Sequence, residues 1–469
     1  MGKYRRLGKN TLLIFIGNTG AKFLQFLMLP LYTRWLNVEE FGTADTINIY
    51  AMLLLGVVTC CIYDAIFVFP KGGSSREQSS YFSSGLSFAL LSFSGVALLF
   101  GCIRFLFATS SFLFVDNIWL IYMLLIALFF QQYMQQFTRS IDKMKIYTVA
   151  GILVVLLSVL FSFVLVPHYK IDGYIGALFF GNIGAAIYSC IASKAYTYFR
   201  WSQIDWTVCR KMLSYSIPLI PNSIMWWLVT SFNRPMLETY MDVRSIGIFA
   251  LANKFPAALT LVITVFTQSW QISVLEEFGT NEYRTFYNQV FRGITLLALF
   301  GSCLMAIFSQ DIVHIFATAD YEEAWIYISI LTLGVAFSCM SSLAGTNFSA
   351  VKQSKYYFYS SLGAGLSAII LNFLLIPRWG IMGAAISVCA SFMVGALSRI
   401  YYSWRFVPLD EYYKYLLAVL VNLIVIIFLY VGMQEWSMKL ICLLFSLLSF
   451  MFLSKKDWLH LYDLMKHKL

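Results

Sequence analysis

Apolar runs separated by short polar stretches fill the chain from residue 10 to residue 453. A helix that crosses the hydrocarbon core of a bilayer needs about 20 such residues. On that rule the pattern predicts fourteen spans. They fall at approximately 10–36, 44–69, 80–107, 112–137, 145–166, 173–198, 213–237, 246–274, 286–308, 323–350, 356–376, 381–404, 412–432 and 436–453. The connections are short, and the longest, roughly 199–212 and 275–285, lie on one side. The fold class that follows is an all-α integral membrane protein.

Polar positions inside the runs are not scattered at random. In the first span Thr11, Asn18, Lys22 and Gln25 are spaced 7, 4 and 3 apart, so a helix gathers them on one face. A lysine at bilayer depth costs roughly 2.5–3.5 kcal/mol on insertion scales. Such a stripe must face protein or a water-filled cavity.

The pattern also repeats. The stretch 165–182 aligns with 375–391, each with a span ending at proline (Pro167, Pro377) and a G-x-x-G-A opening the next (Gly173 and Gly176, Gly380 and Gly383). Lys145 and Lys355 each stand 22 residues before those prolines. Asn37-Val38 to Phe41-Gly42 matches Asp242-Val243 to Ile246-Gly247. With offsets of 205 to 210 residues, spans 1–6 return as spans 7–12 in the same orientation. The expected organisation is an N-terminal lobe over residues 1–200, a second lobe over 201–408, and spans 13–14 with a tail over 409–469. Parallel halves of this kind belong to alternating-access transporters with a site between the halves. Spans 13 and 14 read as apolar all round, with a packing or lipid-facing role.

Composition agrees. Hydrophobic residues make up 60% and charged residues 12%, with mean hydropathy +0.74, against about 25% charged in soluble domains. Alternating the sides of the membrane puts 24 of the 33 Lys and Arg on one side and 6 on the other. The positive-inside bias then places both termini in the cytoplasm. The net charge of +10 is dispersed among loops and is not a nucleic-acid footprint. The nine cysteines mostly lie inside apolar runs, and the four histidines lie in connections or the tail. Their spacing offers no metal or cofactor site.

The remaining basic residues, Lys22, Arg234 and Lys254, fall inside spans. With Arg34 they define a candidate cationic cavity that suits an anion such as phosphate. Candidate polar lining comes from Asn18, Gln25, Asp64, Asn222, Asn233, Asn253, Thr264 and Gln268. Asn222 and Asn233, eleven residues apart, are expected on one face of span 7, bent near Pro218 and Pro221. Each cation also has a local reading: Lys22 paired with Asp64 or a packed carbonyl, Arg34 or Lys254 snorkelling to the interface, and Arg234 paired with Glu238. Gln131, Gln132, Gln135, Gln136 and Arg139 at the inner end of span 4 read either as a sugar vestibule or as a solvated helix end.

The stretch N-T-x-x-x-x-x-G followed by LPLYTRWLNVEEFGTAD, and the run 352–391 with its N-x-x-L-I-P-x-x-G-I-x-G-A-A core, resemble Wzx-type O-antigen flippases. These form the polysaccharide-transporter branch of the MOP superfamily, beside MATE exporters and the lipid II flippase MurJ. The resemblance implies a V-shaped, two-lobed helix bundle in the bacterial inner membrane; relatives commonly have twelve spans, and the fourteen read here are closer to the longer members. It implies a non-enzymatic carrier of an undecaprenyl-diphosphate-linked oligosaccharide, and the presence of both halves in one chain suits function as a monomer. Membrane lipids, a polysaccharide polymerase and chain-length machinery are the implied partners. Many relatives carry Asp-Arg where this chain has Asn233-Arg234, which removes a carboxylate. A MATE-like cation-coupled multidrug exporter is the alternative reading, but it needs a buried carboxylate. A membrane polymerase or glycosyltransferase is a further one, and it needs a sizeable outer loop or an intramembrane acidic pair.

Overall fold

The computed structural model describes residues 24, 26–107, 109, 112–280, 282–351, 353, 355–432 and 435–466. Side-chain surroundings are described for the same residues except 262, 265, 268, 269, 272, 275, 276 and 455–466. All regular structure among them is helical. Nine of the helices are long and apolar enough to cross a membrane, and two of the nine run to 50 and 49 residues. Two compact units divide the chain, Met1–Trp227 and Leu228–Leu469.

In the first unit α1 (Leu29–Trp35) leads into α2 (Val38–Val58). Asn37 starts α2 with a capping box: its side chain accepts from Glu40 N at 2.7 Å, while its own N–H donates to Glu40 at 2.9 Å. Span 2 does not continue unbroken to residue 69, as the apolar pattern suggests. Cys60 and Cys61 adopt left-handed φ values of 50° and 52°, and a separate helix α3 (Ile62–Val68) follows. The break leaves carbonyls to satisfy, and Cys61 N and the Ser92 hydroxyl donate to those of Gly56 and Val58. Next come α4 (Ser75–Leu106), the short α5 (Leu113–Asp116) and α6 (Ile118–Ser140). Phe82 and Phe137 meet at 4.5 Å between ring centres, and the Tyr133 hydroxyl donates to Phe82 O at 2.8 Å, at the centre of this core.

The segment α7 (Met144–Ser193), 50 residues long, is a pair of helical arms joined at a sharp kink and folded back on each other. The bend is at Lys170, with φ 50° and ψ −119°. A Cβ on Gly173 would lie 2.3 Å from Leu165 O, and one on Gly181 would lie 2.0 Å from Ser158 Oγ. The two arms therefore touch backbone to backbone along a seam of small residues. Between lipid-embedded helices, close approach of this kind replaces hydrophobic drive. The second unit repeats the device in a 49-residue helix, α15 (Lys355–Ser403), bent at Gly380 with φ 52° and ψ −128°. There a Cβ on Gly383 would meet Leu375 O at 2.4 Å. Lys170 thus matches Gly380 and Gly173 matches Gly383. This corrects the expected pairing of Gly173 with Gly380, which was set by the G-x-x-G spacing and not by the bend. The matched starts of α2 and of α11 (Val243–Glu277) also agree in structure, since Asp242 caps α11 by accepting from Ser245 N at 2.7 Å.

Span 7 is more broken than two prolines suggest. The expected connection 199–212 instead holds a short 3₁₀ turn, Trp201–Gln203, and most of α8 (Trp206–Ser216). A 3₁₀ turn at Ile217–Leu219 leads to α9 (Ile220–Thr230), and α10 (Asn233–Tyr240) follows a further turn. Because that turn interrupts the helix, the eleven-residue spacing of Asn222 and Asn233 does not put them on one face. Asn222 is exposed and Asn233 fully buried.

The second unit continues with α11, α12 (Tyr283–Ile307), α13 (Ser309–Phe316), α14 (Ala324–Ala350), α15, α16 (Tyr412–Val431) and α17 (Trp436–Lys466). Spans 13 and 14 are α16 and α17, and they are not apolar all round. Lys414, Asn422 and Lys439 are all buried. The Asn422 side chain donates to Leu299 O in α12 at 3.1 Å, and Lys439 Nζ pairs with Asp311 in α13 at 2.5 Å.

Candidate functional site

The candidate residues divide between the two units. Asn18, Lys22 and Gln25 lie outside the described residues, as does the side chain of Gln268. In the first unit Arg34, in the last turn of α1, is exposed. Asp64 on α3 is half-buried.

The second unit gathers the rest. Arg234, near the start of α10, is only 5% exposed. Its Nη1 donates to Thr230 O at 2.8 Å and to Asn233 Oδ1 at 2.7 Å. Its guanidinium lies 4.9 Å from the ring centre of Phe249 on α11. The turn before α10 explains the first bond, since a broken helix leaves Thr230 O without its usual donor. Asn233 thus serves Arg234 as an acceptor through a neutral amide, where a carboxylate would have supplied a formal charge. The carbonyl, the amide and the ring are neutral groups that fix the orientation of the guanidinium.

On α11, Asn253 and Lys254 are both half-buried. The Asn253 side chain donates to Phe249 O at 2.8 Å, and the Thr264 hydroxyl to Thr260 O at 2.7 Å. Both bonds return to the helix's own backbone, so each side chain keeps its oxygen lone pairs for another donor. Pro256, inside α11, removes one backbone donor between them.

Some cations sit where charge counting alone does not place them. Arg399, counted with the cytoplasmic connections, is half-buried in α15. Its guanidinium donates to Ser360 Oγ at 3.2 Å and lies 5.1 Å from the Tyr357 ring. Loop counting misses it because only the fold shows that its neighbours on the facing arm are Ser360 and Ser361. At the inner end of span 4, Gln131 donates to Gln135, and Gln135 donates to Tyr147 O at 2.9 Å. These glutamines tie α6 to α7, a structural role that neither sequence reading anticipates.

Taken together, the molecule is an all-α, multi-pass membrane protein whose hairpin motif recurs at a 210-residue spacing, with a buried arginine in its second unit. The polysaccharide biosynthesis protein family matches residues 7–271, and the chain belongs to that family. It is 24% identical over 397 residues to a Shigella dysenteriae protein named "Putative O-antigen transporter", covering 81% of this chain and 96% of that one. It is 25% identical over 204 residues to the capsular polysaccharide biosynthesis protein CapF of Staphylococcus aureus, covering 42% of this chain and half of that relative's length. Among solved structures it resembles the lipid II flippase MurJ in an inward closed conformation, with TM-score 0.72, 17% identity, and coverage of 96% of this chain and all of that one. It also resembles an inward-facing multidrug MATE transporter of the MOP superfamily, with TM-score 0.66, 13% identity, and coverage of 82% and 94%. The fold is that of the MOP superfamily, as the Wzx-type resemblance implies.

Proposed function

We propose that this protein is a flippase. It carries an undecaprenyl-diphosphate-linked oligosaccharide, an O-antigen or similar repeat unit, from the cytoplasmic to the periplasmic leaflet of a bacterial inner membrane. The observation that carries the reading is membership of the polysaccharide biosynthesis family, joined to an all-α membrane fold in which a helical hairpin recurs. Parallel repeats suit alternating access, in which one half rocks against the other around a site between them. In this reading the lobes 1–200 and 201–408 move, and Lys22, Arg34, Arg234 and Lys254 offer charge to the diphosphate. Asn253 and Thr264, with lone pairs to spare, accept from sugar hydroxyls. The lipid tail stays in the bilayer, so no enzymatic step is needed. A polymerase and chain-length machinery receive the product.

The test is complementation of a strain lacking the gene. Wild type should restore surface polysaccharide, and Arg234→Ala should not, at equal protein in the membrane. Restoration by R234A and by Lys22→Ala alike would remove the cationic site from the mechanism. Acquired resistance to cationic dyes, with no effect on polysaccharide, would favour the multidrug reading.

A further inference from the structure

A second group of cations, outside the candidate cavity, stands at the end of the first unit that the charge bias assigns to the cytoplasm. Its centre is Phe67, near the end of α3. The Arg139 guanidinium, at the end of α6, lies 4.1 Å from the Phe67 ring centre and 5.7 Å from that of Tyr147 on α7. Lys71 approaches the same Phe67 ring at 6.0 Å. Two residues on, the Phe69 ring has Lys211 of α8 at 5.5 Å. The break at Cys60–Cys61 makes this possible, because it ends α2 and re-aims α3 against α6.

What these cations do not do matters most. Among the described residues no carboxylate lies within 4.0 Å of Arg139, Lys71 or Lys211. Glu77, which bears electrostatically on Lys211, directs Oε2 to the Ser74 N–H at 2.8 Å and hydroxyl at 3.0 Å. The Arg139 side chain also makes no hydrogen bond to a described residue, although the residue is half-buried. Contact with a ring face holds a guanidinium in place without using any of its five N–H donors. A positioned, uncancelled fork of donors is the arrangement that binds phosphoryl oxygens in pairs. The depth also fits. Trp201 and Trp206, on the segment leading to Lys211, are 76% and 57% exposed. Exposed tryptophans in a membrane protein sit at headgroup level.

We infer that Arg139, with Lys71 and Lys211, forms an entry site for the diphosphate of a lipid-linked substrate at the inner membrane surface. The inference rests on the flippase reading for the identity of its ligand. The site would take the diphosphate before the substrate enters the bundle, with the sugars still in the cytoplasm.

The experiment uses the full chain in nanodiscs of phosphatidylcholine, with undecaprenyl diphosphate as the probe. Phosphatidylglycerol and inorganic pyrophosphate serve as competitors, and binding is read by native mass spectrometry. Arg139→Gln should weaken binding of the probe about tenfold with melting unchanged. Arg139→Lys, which keeps the charge but loses the fork, should fall between. Phe67→Leu should weaken binding with every cation still present. An affinity within twofold of wild type for R139Q and for the Lys71→Gln, Lys211→Gln double variant would overturn the site. So would competition by phosphatidylglycerol as strong as that by the probe itself, since that would mark an ordinary headgroup contact. If wild type fails to restore surface polysaccharide yet binds the probe through Arg139, the flippase reading falls and the anion site stands.

Discussion

Arg292 and Glu411 meet at 2.6 Å where α12 faces the start of α16. Glu411 also takes Lys414 at 2.8 Å, so one carboxylate serves two cations. Both cations are largely removed from water, with side chains 12% and 8% exposed. At the other end of the added helices Lys439 pairs with Asp311. The two terminal spans are therefore fastened to the second unit at both ends.

Removing the shared carboxylate should be costly. Glu411→Gln leaves two buried cations uncompensated, and breaking a buried pair in this way costs about 3–5 kcal/mol. Asp410→Asn, one residue earlier, breaks a pair with Arg284 whose side chains are 57% and 47% exposed. Exposed pairs contribute about 0–1 kcal/mol. Thermal unfolding in one detergent should separate the two variants clearly, and equal melting temperatures would contradict the latch.

The Lys439–Asp311 fastening offers a compensation test. Asp311→Asn leaves the Lys439 ammonium, only 4% exposed, without its counter-ion. Adding Lys439→Met should restore melting to near wild type, because an apolar replacement for a buried pair is often neutral or stabilising. A double variant no more stable than D311N would mean that Lys439 matters through something other than charge.

The hairpin contacts predict strong intolerance at two glycines. A Cβ at position 173 or 383 would meet backbone oxygen at 2.3 or 2.4 Å, and backbone cannot rotate aside. Gly173→Ala and Gly383→Ala should each cost more than about 2 kcal/mol, within the range for overpacking. Both should lower the yield of folded protein. At Gly95, where a Cβ would meet nothing within 4 Å, alanine should be silent.

One cap should respond to pH. The Ser74 backbone and hydroxyl donate to Glu77 and hold its carboxyl below the usual carboxylate value. A lowered folded value means that the charged form supports the cap. The support is present above pH 4.5, the ordinary value, and is lost as pH falls through the lowered one. Hydrogen exchange in the first turn of α4 should quicken on acidification. In Ser74→Ala it should already be fast at neutral pH and should change little.

The apolar pattern makes spans, repeat and caps legible because each depends on neighbours a few residues apart. Asn37 with Glu40, and Asp242 with Ser245, are local signals. The break at Cys60–Cys61 has no glycine or proline to announce it. The turn before Asn233 does carry a signal, Pro235 in the first turn of α10, and it cancels a face drawn by counting residues. Arg292 and Glu411 are 119 positions apart, so no window of sequence joins them. Of the candidate site, the buried position of Arg234 follows from its place within an apolar run. The ring that holds Arg139 does not, since Phe67 reaches it only once α3 has been re-aimed.

The two hairpin bends are alike in backbone and different in residue. Lys170 and Gly380 stand 210 residues apart and share a backbone conformation with positive φ and strongly negative ψ. Glycine enters that region freely, whereas a side chain there costs of order 1–3 kcal/mol. Lys170 nevertheless keeps the bend, and its ammonium reaches Trp35 O at 2.5 Å. One backbone geometry therefore recurs in the two hairpins by two means, a glycine that enters it freely and a lysine whose ammonium is anchored on α1.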